Sequence, residues 1–293
     1  MEAAGAGDTV RVEAGRYREN LVITKSLILQ GVGRDQVTLE PADPLVPLLL
    51  IHDAQVVVSG FTLQGGAGGR QRGDFVGVRA IQIKGTSQAQ ILYNRIIGPT
   101  DGKGIDVTGA AQVRIAGNEI RDSSFGIIVG QESGVFLPEG VGQALILDND
   151  IFGHSMLGIL GSDLVARGNR IHNNDIGLDV RQAYLWKNRI FANKQTGVQA
   201  SNYAVELVEN EIFENEDGVM LFRGYMYGLN NDVYDNRRWG FTLWSDVCGF
   251  EYGVLKPTEV LVEGVGNIVS RNGSGAVCPA TSPPWPQGFY VEK

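Results

Sequence analysis

Asp179 and Arg181 stand two positions apart, so an extended chain puts a carboxylate and a guanidinium on the same side, within reach of one ligand. Such a pair suits proton chemistry beside a carboxylate. A cation neutralises the substrate's charge while a base removes the adjacent proton. Arg181 fits the first role, and His154 or Asp175, in the turns that precede such segments, fits the second. The alternative is a surface ion pair of little energetic weight. No cofactor is expected. Calcium would need clustered carboxylates, and Asp175 and Asp179 are the two at hand. Cys248 and Cys278 read either as a disulfide joining the last part of the chain or as two buried thiols, and they make no zinc pattern with the three histidines.

What must hold these residues is written in a repeat. An Asn followed two residues later by a branched aliphatic recurs at Asn94, Asn118, Asn149, Asn169, Asn188, Asn210, Asn231 and Asn267. Eight to ten residues after each comes a Gly, usually followed by an apolar residue, as in Gly104-Ile105, Gly177-Leu178 and Gly218-Val219. Apolar residues alternate between these marks (Val113/Ile115, Val205/Leu207), which is strand periodicity. Forty glycines and 20% charged residues also argue against a helical protein. Each repeat reads as a strand starting at the Gly, a turn, a strand ending just before the Asn, a tight corner, and a short third strand. The expected fold is all-β, a right-handed parallel β-helix. One domain of about ten to eleven coils spans 1–278, and 279–293 form an extended tail that packs on or caps the solenoid. At the corner an Asn amide can satisfy backbone groups of adjacent coils, a structural rather than catalytic role.

The opening run Gly7–Asn20 (GDTVRVEAGRYREN) and the later Leu27–Gly31 (LILQG) resemble the first coils of secreted bacterial pectin-lyase-like proteins. The later repeats are similar to the β-helix repeat shared by carbohydrate-binding and sugar-hydrolase proteins. The resemblance covers nearly the whole chain and implies the fold. It leaves function open among lyases, hydrolases, epimerases, esterases and non-enzymes. The Tyr-Arg-Glu-Asn stretch also resembles pectin methylesterases, whose catalytic motifs are missing here. The Asp-Pro-His-Glu run of mannuronan epimerases and the Asn-Thr-Asp and Arg-Ile-Lys runs of polygalacturonases are absent too.

Residues the repeat does not require then carry function. Counting from each Gly, one outward row of the Gly strand is Gln82, Asp106, Ile128, Leu160, Asp179, Gln199, Met220 and Thr242. The next is Lys84, Thr108, Gly130, Ser162, Arg181, Ser201, Phe222 and Trp244. The resemblance implies that polysaccharide lies along this face, with Asp106, Gln199, Met220, Phe222, Trp239 and Trp244 as contacts and Asp179, Arg181, His154 and Asp175 as catalytic candidates. Insertions at 131–142 and 245–258 would wall the cleft about 24 Å apart, five strand spacings. On the strand before the Asn, outward residues Leu145, Leu147, Val165, Tyr184, Trp186, Val208, Tyr227 and Leu229 form an apolar stripe. Coverage by a loop or the tail, leaving a monomer, is preferred over a dimer through the stripe.

The net charge of −8 argues against nucleic acid, and no apolar run reaches the roughly 18 residues of a membrane span. The start Met-Glu-Ala-Ala-Gly-Ala-Gly reads as following a removed leader, so a secreted or periplasmic protein is expected. Three functions are open. The first is a carbohydrate-active protein, as a polysaccharide lyase, epimerase or hydrolase. The second is a non-catalytic binding solenoid. The third is an enzyme for a small hydrophobic substrate, suggested by Met220, Phe222 and Trp244.

Overall fold

Alternating apolar residues at each repeat become short parallel strands, because only stacking on a neighbouring coil buries their inward side chains. The computed structural model describes residues 3–66, 78–109, 111–130, 144–201, 203–250, 260–280 and 285–292. Among them there is no α-helix, only a 3-10 turn at Asp246–Cys248. The chain divides into two compact units, Met1–Ser155 and Met156–Lys293. Both are built from one three-strand coil whose strands join three parallel sheets, which we call the pre-Asn, post-Asn and Gly-strand sheets.

The first unit holds five complete coils and the first two strands of another. Its pre-Asn sheet runs from Thr9–Val12 to Ala144–Leu147, and its post-Asn sheet from Gly15–Arg18 to Asp150–Phe152. Its Gly-strand sheet runs from Leu21–Ile23 to Phe125–Val129. Pairing is in register, Ile81 with Ile105 with Ile127 and Ile96 with Ile120 with Ile151, so like residues stack on like. These isoleucines are fully buried, each worth about 1.5–3 kcal/mol of hydrophobic stabilisation.

The second unit begins with the Gly strand Leu157–Gly161 and continues through five complete coils. The final strand Tyr290–Glu292 then pairs with Asn267–Ser270. Buried Phe289, from the tail, lies 5.1 Å from the Phe241 ring and 5.6 Å from Trp285. Its carbonyl accepts a bond from Asn267 Nδ2 at 2.7 Å, satisfying the last amide of the Asn row. Cys248 and Cys278 are joined as a disulfide.

The asparagines do what the corner requires. In the second unit the Asn169, Asn188, Asn210 and Asn231 backbone N–H groups each donate to the next asparagine's Oδ1 at 3.0–3.1 Å. In the first unit Asn94 and Asn118 do the same, and the row starts at buried Phe61, whose N–H donates to Asn94 Oδ1. A parallel row lies five residues on, at Asn174, Asn193, Asn215, Asn236 and Asn272, bonded in the same manner. Both corners bend through left-handed residues, Lys187 and Ala192 being one such pair.

The apolar stripe is less continuous than its sequence suggests. In the second unit Glu206 sits between Tyr184 and Tyr227, and Glu263 beyond Tyr227. Trp186 donates to Glu209 and lies under Arg167 and Lys187, while Val208 is buried. The loop expected at 131–142 lies outside the described residues, as do 251–258 of the second insertion.

Candidate functional site on the Gly-strand sheets

The repeat Gly sets which residues face outward. A Cβ at Gly104 would lie 2.6 Å from Gly126 O and 3.1 Å from Ile120 Cγ2, on the interior side, and the following Ile105 is also buried. Two successive inward positions turn the residue before each Gly outward. Each Gly strand therefore offers three outward positions rather than two: Lys103, Asp106 and Thr108 on one coil, Asp217, Met220 and Phe222 on another. Arg79 and Lys103 escaped the sequence reading for this reason. The signal lies in the position just before each repeat Gly, or before Ala80, which takes the place of the Gly in the coil of Arg79.

In the first unit this row forms a buried charge cluster. Asp106 is 0% exposed, and its Oδ2 accepts from Arg79 Nε at 2.7 Å and Lys103 Nζ at 3.0 Å. Among the described residues its Oδ1 has no hydrogen-bond partner, nor does the buried hydroxyl of Thr108, two residues along the strand. A buried polar group left unpaired costs about 1–3 kcal/mol, so each such atom calls for an explanation. Lys84 lies on the adjoining strand beside Thr108, and its charge acts on Asp53.

His154, in the same unit, does not reach the outer face. It is 1% exposed and fills the corner position that asparagines occupy in the second unit. Nδ1 accepts from the Ser123 N–H at 3.3 Å, and Nε2–H donates to the Ile120 carbonyl at 3.2 Å. Burial lowers its pKa to about 4 against the opposing effect of these bonds and of Asp122. The expectation that it could serve as an outward base is corrected: its place is structural, because the corner needs a side chain with both an acceptor and a donor.

In the second unit Asp179 and Arg181 do lie on the outward rows and interact. Burial raises the Asp179 pKa, opposed by Arg181 and by a hydrogen bond from Ser201. Gln199 is its register neighbour. Asp175 is half-buried in the turn and accepts from Gln195 Nε2 at 2.8 Å. Met220 is buried, whereas Phe222 and Trp244 are half-buried and face each other at 5.1 Å. Trp239 donates its backbone N–H to Asp217, a buried carboxyl whose pKa is raised by burial against the pull of Arg238. Arg238 also donates to the Cys248 carbonyl and lies 4.4 Å from the Phe250 ring, pinning the start of the second insertion beside Asp217. Among the described residues there is no group of three or more His, Cys, Asp or Glu that could hold a metal ion.

The model of the right-handed β-helix region matches residues 53–184 and 103–251, more than half of the chain. The chain belongs to the right-handed β-helix family. No curated protein matches the sequence. Among solved structures it is similar to the Azotobacter vinelandii mannuronan C-5 epimerase AlgE4 A-module. Identity is 16% and the TM-score 0.61, over 92% of this chain and 87% of that one. The periplasmic alginate epimerase AlgG is similar at 18% identity and TM-score 0.52, over 97% and 76%. The Dettilon tailspike protein follows at 13% identity and TM-score 0.53, over 92% and 62%. These likenesses show the β-helix fold. Among the described residues no helix is long and apolar enough to cross a membrane.

Proposed function

We propose that this β-helix protein binds an acidic polysaccharide along the outer face of its Gly strands, holding a sugar unit at Asp106 in the first unit. The observation that carries this is the pair of buried oxygens left without a partner among the described residues, Asp106 Oδ1 and Thr108 Oγ1, beside the Arg79 and Lys103 cations. Both atoms are closed to solvent, so a sugar reaches them only once the groups above them part; one hydroxyl then donates to Oδ1 and a second meets Thr108, removing both deficits. Arg79 uses one of its five donors on Asp106, and its guanidinium, 18% exposed, keeps donors for a uronate carboxylate. Neutralising that carboxylate lowers the cost of removing the neighbouring proton. This is a step that lyases and epimerases share, and the similar structures named above include epimerases of mannuronan and alginate.

In the second unit Asp179, Arg181, Gln199 and Ser201 form a polar surface for the same class of ligand, with Phe222, Trp239 and Trp244 offering ring faces to sugars. The disulfide supports export to an oxidising compartment. The test is binding and turnover on alginate, polygalacturonate and hyaluronan, followed by calorimetry, ultraviolet absorbance for an unsaturated product, and NMR for epimerisation. Wild type should bind at least one polymer. Thr108→Val should weaken that binding about three- to tenfold, and Asp106→Asn at least as much. Wild type that binds none of them, or variants that bind like wild type, would overturn the reading.

A further inference from the structure

The first unit carries a second concave surface, on the outer face of its pre-Asn sheet. This groove of about 700 Å³ runs across successive strands from Ile28 to Leu145. Its floor is an amide ladder. Gln55, Gln88 and Gln112 occupy the same register position on three neighbouring strands. Gln90 and Arg114 follow two residues further on. All four glutamines are exposed, and among the described residues none makes a side-chain hydrogen bond.

Among the described residues the lining contains one cation and no carboxylate, so these attract neither a cationic ligand nor, strongly, a polyanion. It is a sheet face rather than an edge, so a peptide cannot join it by backbone pairing. Each amide presents both donors and an acceptor, and the strands set them about 4.8 Å apart, close to the length of one pyranose in an extended chain. Ile28 and Leu145, exposed by 38% and 41%, give apolar ground for ring faces.

We propose that this groove is a second carbohydrate site, which holds an uncharged glycan chain running across the strands with about one sugar per coil. It is separate from the Asp106 site and does not depend on that site's reading.

The experiment titrates the full chain with cellohexaose, xylohexaose and mannohexaose, following glutamine side-chain NH₂ signals by NMR. At least one hexaose should shift those signals, and Gln88→Ala/Gln112→Ala should weaken its binding at least tenfold. These residues are exposed, so the double variant should keep the wild-type melting temperature. Asp106→Asn should leave hexaose binding unchanged, and the glutamine variant should leave polyuronate binding unchanged. The proposal fails if no hexaose shifts the glutamines, if the double variant binds normally, if an oligouronate takes the groove in preference, or if Asp106→Asn abolishes hexaose binding.

Discussion

His154 shows how one position in a repeat can hold a titratable group without using it chemically. The Ser123 N–H needs an acceptor and the Ile120 carbonyl a donor, which defines the neutral Nε2–H tautomer. The folded pKa of about 4 lies below the ordinary 6.5, so the neutral form is favoured in the folded state. Stability is then full above pH 6.5 and declines as pH falls toward 4, by about 3 kcal/mol in all. Urea denaturation from pH 7 to 4 should show this loss in wild type and much less of it in His154→Asn. Parallel curves would contradict it. Thr108 gives the opposite test. Replacing its unpartnered hydroxyl by a methyl removes a buried deficit, so Thr108→Val should leave the free protein as stable or raise it by about 1 kcal/mol in thermal denaturation, even as ligand binding weakens. A residue that only stabilised the fold would show the reverse.

At the scale of the element, the coil depends on two asparagine rows and one glycine. Asn193 Oδ1 accepts from Asn174 N–H and Nδ2, and its own Nδ2 donates to Ile171 O and Asn215 Oδ1. Asn193→Ala leaves buried donors and a carbonyl unpaired and should cost about 2–4 kcal/mol in denaturant unfolding. Gly197→Ala would set a methyl 2.8 Å from Gly218 O and 3.0 Å from Ile212 Cγ2, atoms of the next coil that cannot simply swing aside. A loss of at least 1 kcal/mol is expected there. The first asparagine row was legible because its spacing to the Gly repeats. The second was legible in the same way, as a constant step of five from Asn169 to Asn174 and from Asn188 to Asn193, with His154 at that step from Asn149. Reading His154 as outward came from treating that step as a free turn.

Across the whole chain, the last coils are secured covalently and by the tail. Reducing the Cys248–Cys278 bond releases a 30-residue loop of the denatured chain and should lower stability by about 3–4 kcal/mol, seen as a drop in melting temperature with reductant that a Cys248→Ser/Cys278→Ser protein does not share. Removing residues 285–293 would uncover Phe241 and the Asn267 amide, so size-exclusion chromatography should show association of the shortened chain. The amino-acid sequence alone determined the all-β class, the parallel coil, the first asparagine corner and the outward placement of Asp106, Asp179 and Arg181. Each of these follows from periodicity, and periodicity is a local property. It could not determine that Lys103 and Arg79 meet on Asp106, or that Thr108 has no partner among the described residues. Those depend on register, which stacks Arg79 beside a residue 27 positions on, and on the extra inward position at each glycine, which turns Lys103 to the face of Asp106. Register and packing arise only when one coil lies against the next, so the chemistry of this protein was decided there.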